Sequence, residues 1–221
     1  KRIHMKGFVL VLALLCTMPG VAQSKGGLIS GPMLGQNDYR TAKIWMEPAP
    51  EVKSLAVRYW KKGATGQVKN KVLIIGSAGQ QLDFNPVQAE IGGLEPGASY
   101  EYRIVINGKE SNYGGEFATR ELWQWRKPAP DFSFLTGSCT YFNEPEFDRP
   151  GKPYGQDSSI FETMAKDKAA FMLWLGDNWY TREVDYTSEW GLWYRASRDR
   201  SMQVLQPFLK AMPHYAIWDD H

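Results

Sequence analysis

Cysteine is nearly absent: the 221 residues contain two, Cys16 and Cys139. Cys16 falls in an N-terminal stretch expected to be removed. That leaves Cys139 alone and excludes an internal disulfide framework in the mature chain. A single thiol in an oxidising compartment either pairs outside the chain or takes part in chemistry. Long apolar runs are also lacking, and none approaches the roughly 20 residues that cross a bilayer. Neither sign of charge dominates. The formal net charge is +2, but Lys1, Arg2 and Lys6 lie in the leader, and from Gln23 onward 23 basic residues face 24 acidic ones. Such a balance gives no electrostatic footing for nucleic acid or for a membrane surface. Repeats and low-complexity segments are missing, and nothing in the composition fits disorder, collagen or a coiled coil.

What is present is core-forming material, 43% hydrophobic and 14% aromatic. At this length it can fill one large domain or two modest ones. Residues 1–22 read as a secretory signal peptide. A basic start is followed by the apolar run Phe8 to Cys16, and Met18-Pro19-Gly20-Val21-Ala22 then places small residues at a cut after Ala22. A lipoprotein signal ending at Cys16 fits less well, because Leu15 stands where a small residue is required. The mature protein is therefore expected to be exported, periplasmic or extracellular, with no membrane span after signal removal.

Residues 28–119 read as an all-β sandwich. Alternating runs recur at Thr41–Glu47, Ser54–Trp60, Lys71–Ile75, Tyr100–Ile106 and Glu116–Thr119, separated by turn residues such as Gly63, Asn107 and Gly108. The stretch from Leu94 to Tyr102 (LEPGASYEY) resembles the corner of fibronectin type III domains, where a tyrosine hydroxyl ties back to the preceding turn. Residues 120–130, with two tryptophans and two prolines, are predicted to form an ordered linker packed between domains.

From residue 131 the pattern changes to α/β. Phe132–Thr136 is a predicted strand, and Ser159-Ile160-Phe161-Glu162 predicts a capping box opening a helix with Ile160, Phe161, Met164 and Ala165 on its apolar face. Ala169–Leu175 reads as a strand covered on both faces. Helices are expected over Glu189–Arg200 and Gln203–Ala211, and a buried strand over Tyr215–Trp218. Alternating strands and helices begin a layered α/β domain.

The chemistry-bearing residues follow these strands. Phe132–Thr136 leads to Cys139, Ala169–Leu175 to Gly176-Asp177-Asn178-Trp179-Tyr180, and Tyr215–Trp218 to Asp219-Asp220-His221. Ligands of open α/β sheets sit beyond the carboxyl ends of strands. Carboxylate, imidazole, thiolate and phenolate are all metal donors. Spacing does not separate Asp219 from Asp220; Asp220 is taken as the ligand and Asp219 as its support. Asn178 is read as a turn residue with a possible supporting role. Arg195, Arg198 and Arg200 are read as an exposed, charge-paired helix face, with contact to a phosphate as the alternative. Trp179, Trp190, Trp193 and Tyr194 are assigned to core and cleft wall.

Gly176-Asp177 after a strand, together with Trp218-Asp219-Asp220-His221, resembles the metal-binding turns of calcineurin-like metallophosphoesterases. Adding Cys139, Leu175 to Tyr180, and the upstream Ser30 to Gly35 and Lys43-Ile44-Trp45, the chain resembles the PhoD-like alkaline phosphatases over nearly all of its mature length. The resemblance implies a fibronectin III-like sandwich followed by a four-layer αββα metallophosphoesterase domain over 131–221. It implies that Asp177 bridges two metals, that Cys139 and Tyr180 hold ferric iron, that Asp220 is a further ligand, and that His221 contacts the phosphate or leaving group. Calcium is the implied second metal. His4 and His214 do not replace the further His and Asp ligands that the resemblance implies, so the chain is expected to carry half a site, ending at His221 within it, and to be inactive alone. The implied activity is hydrolysis of phosphate esters, either monoesters or diesters such as teichoic acid, phospholipid or nucleic acid. The competing reading is a non-enzymatic fibronectin-like adhesion module joined to a degenerate remnant.

Overall fold

The computed structural model describes residues 27–64, 66–73, 83–155 and 157–221. The signal peptide, its cut after Ala22, and Ile74 and Ile75 of the expected Lys71–Ile75 strand lie outside these residues.

The N-terminal strands are β1 (Leu28–Asn37), β2 (Thr41–Pro48), β3 (Leu55–Lys61), β4 (Lys69–Leu73), β5 (Val87–Gly92), β6 (Ser99–Ile106) and β7 (Lys109–Ala118). They form two antiparallel sheets, in orders β1-β2-β5 and β4-β3-β6-β7, so this part of the chain is a β-sandwich. The alternation that predicts the strands also fills the space between the sheets. Ile44 and Met46 of β2, Val57 of β3, Ala89 and Ile91 of β5, and Tyr102 and Ile104 of β6 all lose their solvent contact. Each large side chain so buried contributes roughly 1.5–3 kcal/mol. The β6–β7 hairpin turns through Asn107 (φ 50°) and Gly108 (φ 77°), the left-handed pair that suits strand twist. Asn107 Oδ1 also accepts from the amides of Lys53 and Ser54 at 2.8 and 3.1 Å. At the predicted corner it is Tyr100 whose hydroxyl ties back, accepting from the Glu95 amide at 2.9 Å.

β1 and β5 were not predicted as strands. β1 carries Gly31, Pro32 and Gly35 and shifts register repeatedly along β2, so its pattern does not alternate. It is also buried on both faces, because its outer side meets the C-terminal part of the chain. β5 alternates, but its Gln, Ala and Glu are weak strand formers.

The C-terminal part contains β8 (Leu135–Gly137), α1 (Ile160–Met164), β9 (Met172–Trp174), α2 (Glu189–Arg200), α3 (Gln206–Leu209) and β10 (His214–Ala216). The strands make a three-stranded parallel sheet in the order β10-β9-β8. One face packs Met172 against Phe161 of α1, Phe208 and Leu209 of α3, and Phe142, Leu205 and Met212. Two expectations are corrected on the other face. Ala169–Leu175 is covered on one side only, and the end of Tyr215–Trp218 is open: Ile217 is 51% and Trp218 89% exposed. The apolar runs remain apolar, but the packed helices lie on a single face of this sheet.

Four further expectations fail on local geometry. Ser159 adopts helical backbone and its side chain caps nothing. The Phe161 amide already reaches back to Ser158, so the turn begins earlier, and Asp157 Oδ1 accepts from the Ser159 amide instead. Ile160, assigned to the apolar face, is exposed. Residues 120–130 are mostly exposed rather than packed, and Trp125 is fully so. Trp190 and Trp193 are also substantially exposed, not core. Trp190 meets Phe84 and donates to Asp83.

The two parts meet along β1 and β2. Ser30 Oγ donates to the Arg200 carbonyl (2.8 Å), the Gly31 amide to Gln206 Oε1 (3.0 Å), and Ser197 Oγ to Glu47 Oε1 (2.8 Å). Burial raises the pKa of the Glu47 carboxyl, while the Ser197 hydroxyl and the Arg200 charge pull it back. This seam fixes α2 and α3 relative to the sandwich, and through them the edge of the parallel sheet.

Candidate metal centre

The carboxyl ends of β8, β9 and β10 deliver their trailing residues to one edge. After β9 the chain turns through Gly176 (φ 99°) and Asp177 (φ 48°), and after β8 Cys139 takes φ 59°. Left-handed backbone at two non-glycine residues costs roughly 1–3 kcal/mol each and persists only where its surroundings enforce it. Here the Thr140 amide donates to the Asp177 carbonyl at 2.9 Å and locks the two turns together. Gly176 is required: a Cβ there would lie 2.5 Å from Cβ of Asp219.

The two turns bring Asp177 between its neighbours. Its Oδ2 accepts from the Tyr180 hydroxyl at 2.8 Å and from the Cys139 thiol at 3.7 Å. Its Oδ1 is buried with no partner among the described residues. One ligand atom each from Asp177, Asp219 and Asp220 lies within 4.8 Å of the others. Asp219 and Asp220 both enter this cluster, with the Asp220 amide donating to Asp219 Oδ1 at 3.0 Å. The His221 imidazole sits 4.7 Å from the Tyr180 ring. Asn178 spans the edge, donating to the Ile217 carbonyl at 3.2 Å, and its Oδ1 is buried without a partner among the described residues. Cys139 is a free, exposed thiol.

The orphaned buried carboxylate oxygen and the two further carboxylates are hard donors, while the thiol and the phenol suit a softer or more oxidised ion. Donors of both kinds are thus present for the iron and calcium that the resemblance implies. Burial raises the Tyr180 pKa above that of a free phenol, and its bonds to Cys139 and Asp177 raise it further, so without a cation the group is a neutral hydrogen-bond donor.

The arginines are corrected. Arg195 is completely buried and pairs with Glu144 (3.3 Å), Asp148 (3.3 Å), Asp185 (3.8 Å) and Asp199 (3.4 Å). Arg198 binds the carbonyls of Phe142 (3.0 Å) and Asn143 (2.7 Å). The charges are paired, as the sequence implies, but they face inward onto the loop after β8 rather than outward to solvent. His214 is buried at the start of β10, away from the cluster: its Nδ1 accepts from Trp174 Nε1 at 3.0 Å and Nε2 meets the Phe208 carbonyl at 3.1 Å.

Sequence reasoning did not single out Tyr141 or Arg182. The Tyr141 ring lies 5.3 Å from that of Tyr180, tilted by 53°, and Arg182 Nε donates to the Tyr141 hydroxyl at 2.8 Å. The only sequence signal is proximity, since each stands two positions after a proposed ligand.

Among the described residues no helix is long and apolar enough to cross a membrane. No known family profile matches the chain, and no curated protein matches it in sequence. In structure it is similar to PhoD, with a TM-score of 0.64 and 20% identity over 86% of this chain and 38% of PhoD. Two smaller structures align at TM-scores too low to establish a shared fold. They are the sensor domain of the anti-sigma factor RsgI4 from Pseudobacteroides cellulosolvens (0.35, 16% identity, 47% of this chain, 96% of that one) and an fn3 domain of human collagen alpha-1(XX) (0.32, 18% identity, 48% and 94%). The chain has a PhoD-like fold and spans little more than a third of the length of PhoD.

Proposed function

We propose that this chain belongs to an exported, metal-dependent phosphoesterase of the PhoD-like kind, acting on phosphate monoesters or diesters. The observation that carries the reading is the meeting of Cys139, Tyr180 and Asp177 at one carboxylate oxygen while the other oxygen of Asp177 is buried and unpartnered among the described residues. In this reading Cys139 and Tyr180 would hold ferric iron, Asp177 would serve both iron and calcium, and Asp220 would be a further metal ligand. Asp219 stands close enough to serve as a ligand or to orient Asp220. Asn178 ties the β9 turn to the end of β10. Bound there, the two cations supply Lewis acidity toward the phosphoryl oxygens and an acidified water. His221, beside the Tyr180 ring, is placed to contact the phosphate or the departing oxygen.

The domain division belongs to the same proposal: a sandwich over 28–119, a linker over 120–130 and an αββα metallophosphoesterase domain from 131 onward. So does export, which rests on residues 1–22.

The test is hydrolysis of an aryl phosphate monoester and an aryl phosphate diester by the full-length mature protein, before and after chelation. Turnover that chelator abolishes and iron with calcium restores is expected, and the preferred ester names the substrate class. No turnover of either ester with both metals supplied would overturn the reading in favour of a sandwich-based binding module carrying an inactive remnant.

A further inference from the structure

We infer that Tyr141 and Arg182 are positioning residues that hold the Tyr180 phenol against Asp177. This rests on the metal-centre reading above. Tyr180 has few polar restraints of its own. Its hydroxyl bonds only the Asp177 carboxylate and the Cys139 thiol among the described residues, and its ring is only partly buried. A phenol with so few restraints swings away from its partner unless its ring is held. The Tyr141 ring lies 5.3 Å from that of Tyr180, and the imidazole of His221 4.7 Å away.

Tyr141 is itself fixed at every point. Its hydroxyl accepts from Arg182 Nε at 2.8 Å. The guanidinium of Arg182 lies 4.7 Å from the centre of its ring and that of Arg195 5.6 Å. Its carbonyl occupies the space that a Cβ on Gly155 would need. Arg182 in turn is anchored: its Nε is 3.9 Å from Asp148, and its amide donates to Asp185 Oδ2 at 2.8 Å. Both carboxylates also pair with the buried Arg195. A continuous chain of contacts thus runs from α2 through Arg195, Asp148 and Arg182 to Tyr141, and from there to Tyr180 and Asp177. It braces one ligand from inside the fold, as supporting groups around metal ligands do.

The test uses the full-length protein, with ferric ion alone as the probe. The readouts are the tyrosinate-to-iron charge-transfer absorption and the apparent affinity by chelator competition. Tyr180→Phe identifies the band that belongs to this ligand. Arg182→Gln and Tyr141→Phe are expected to shift or broaden the band and weaken binding by about 10–100-fold, while Arg182→Lys, which keeps a cationic donor, restores both. Tyr141→Phe removes one hydroxyl and keeps the ring, so it remains informative if Arg182→Gln disturbs folding. Band and affinity unchanged in Tyr141→Phe and Arg182→Gln would overturn the brace while leaving the metal centre standing. A wild-type protein with no band that Tyr180→Phe removes would overturn the metal-centre reading, and the brace with it.

Discussion

The Tyr180 hydroxyl donates to Oδ2 of Asp177 across 2.8 Å, while Oδ1 of the same carboxylate is buried and unpartnered among the described residues. A buried polar oxygen without a partner costs roughly 1–3 kcal/mol, so a fold that keeps one uses it for something beyond stability. Asp177→Asn preserves the shape and removes the charge. The expected outcome is an unfolding free energy, in chelator, within about 1 kcal/mol of wild type. Metal-restored ester hydrolysis should fall by more than about 100-fold, beyond the loss expected from a merely supporting residue. Turnover close to wild type would remove Asp177 from the proposed site.

The two tyrosines of the β6 corner separate a paired hydroxyl from an orphaned one. Tyr100 accepts from the Glu95 amide at 2.9 Å, whereas the Tyr102 hydroxyl is buried with no partner among the described residues. Tyr100→Phe leaves a backbone donor unsatisfied and is expected to lower stability by about 1–2 kcal/mol. Tyr102→Phe removes a hydroxyl that gains nothing from burial, and is expected to be neutral or stabilising by up to about 1 kcal/mol. Urea unfolding of the two variants checks the contrast. Equal losses would mean that Tyr102 has a partner in solution, such as a buried water.

The same corner shows how far the sequence can be read. Its Leu-Glu-Pro-Gly turn and following tyrosines are local, and so was α2, whose bounds match the predicted Glu189–Arg200. Cys139, Asp177, Tyr180, Asp219 and Asp220 could be singled out because each follows an apolar strand, and parallel strands carry their trailing residues to one edge. What stayed hidden depends on contacts between distant segments. β1 lost its alternation because both its faces are buried. The pairing of Arg182 with Tyr141 joins residues 41 positions apart, and nothing in either neighbourhood announces the other. Arg195 looked like one charge on a solvated helix until the loop from Phe142 to Asp148 closed over it.

That closure makes Arg195 a sharp test of the α2 seam. Its guanidinium is fully buried against Glu144, Asp148, Asp185 and Asp199, and it also donates to the Phe142 carbonyl at 2.9 Å. Arg195→Met fills similar volume but strands several buried carboxylates without their cation. The expected loss is about 3–5 kcal/mol in chemical unfolding, the range seen when one partner of a buried ion pair is removed. A loss below about 1 kcal/mol would show that water reaches these carboxylates and that the network is not closed.

His214 provides a pH signature for the packing beneath the parallel sheet. Trp174 donates to its Nδ1, so the ring proton rests on Nε2, which donates to the Phe208 carbonyl. A second proton would turn Nδ1 into a donor facing the Trp174 N–H. Burial therefore lowers its pKa to about 4; the Phe208 carbonyl partly opposes the shift, and the nearby Arg200 cation adds to it. In the unfolded chain the imidazole titrates near the ordinary histidine value of about 6.5. Between those values the unfolded state binds the extra proton and the native state does not. This group's contribution is thus fully present above about pH 6.5 and is lost as pH falls toward about 4, by on the order of 3 kcal/mol in total. His214→Asn keeps an acceptor for Trp174 and cannot titrate. Unfolding free energies for wild type and variant at pH 7, 6, 5 and 4.5 should converge as acid is added, because only the wild type carries this loss. Parallel profiles would place a charged histidine in the native protein and overturn the assignment of the proton to Nε2 alone.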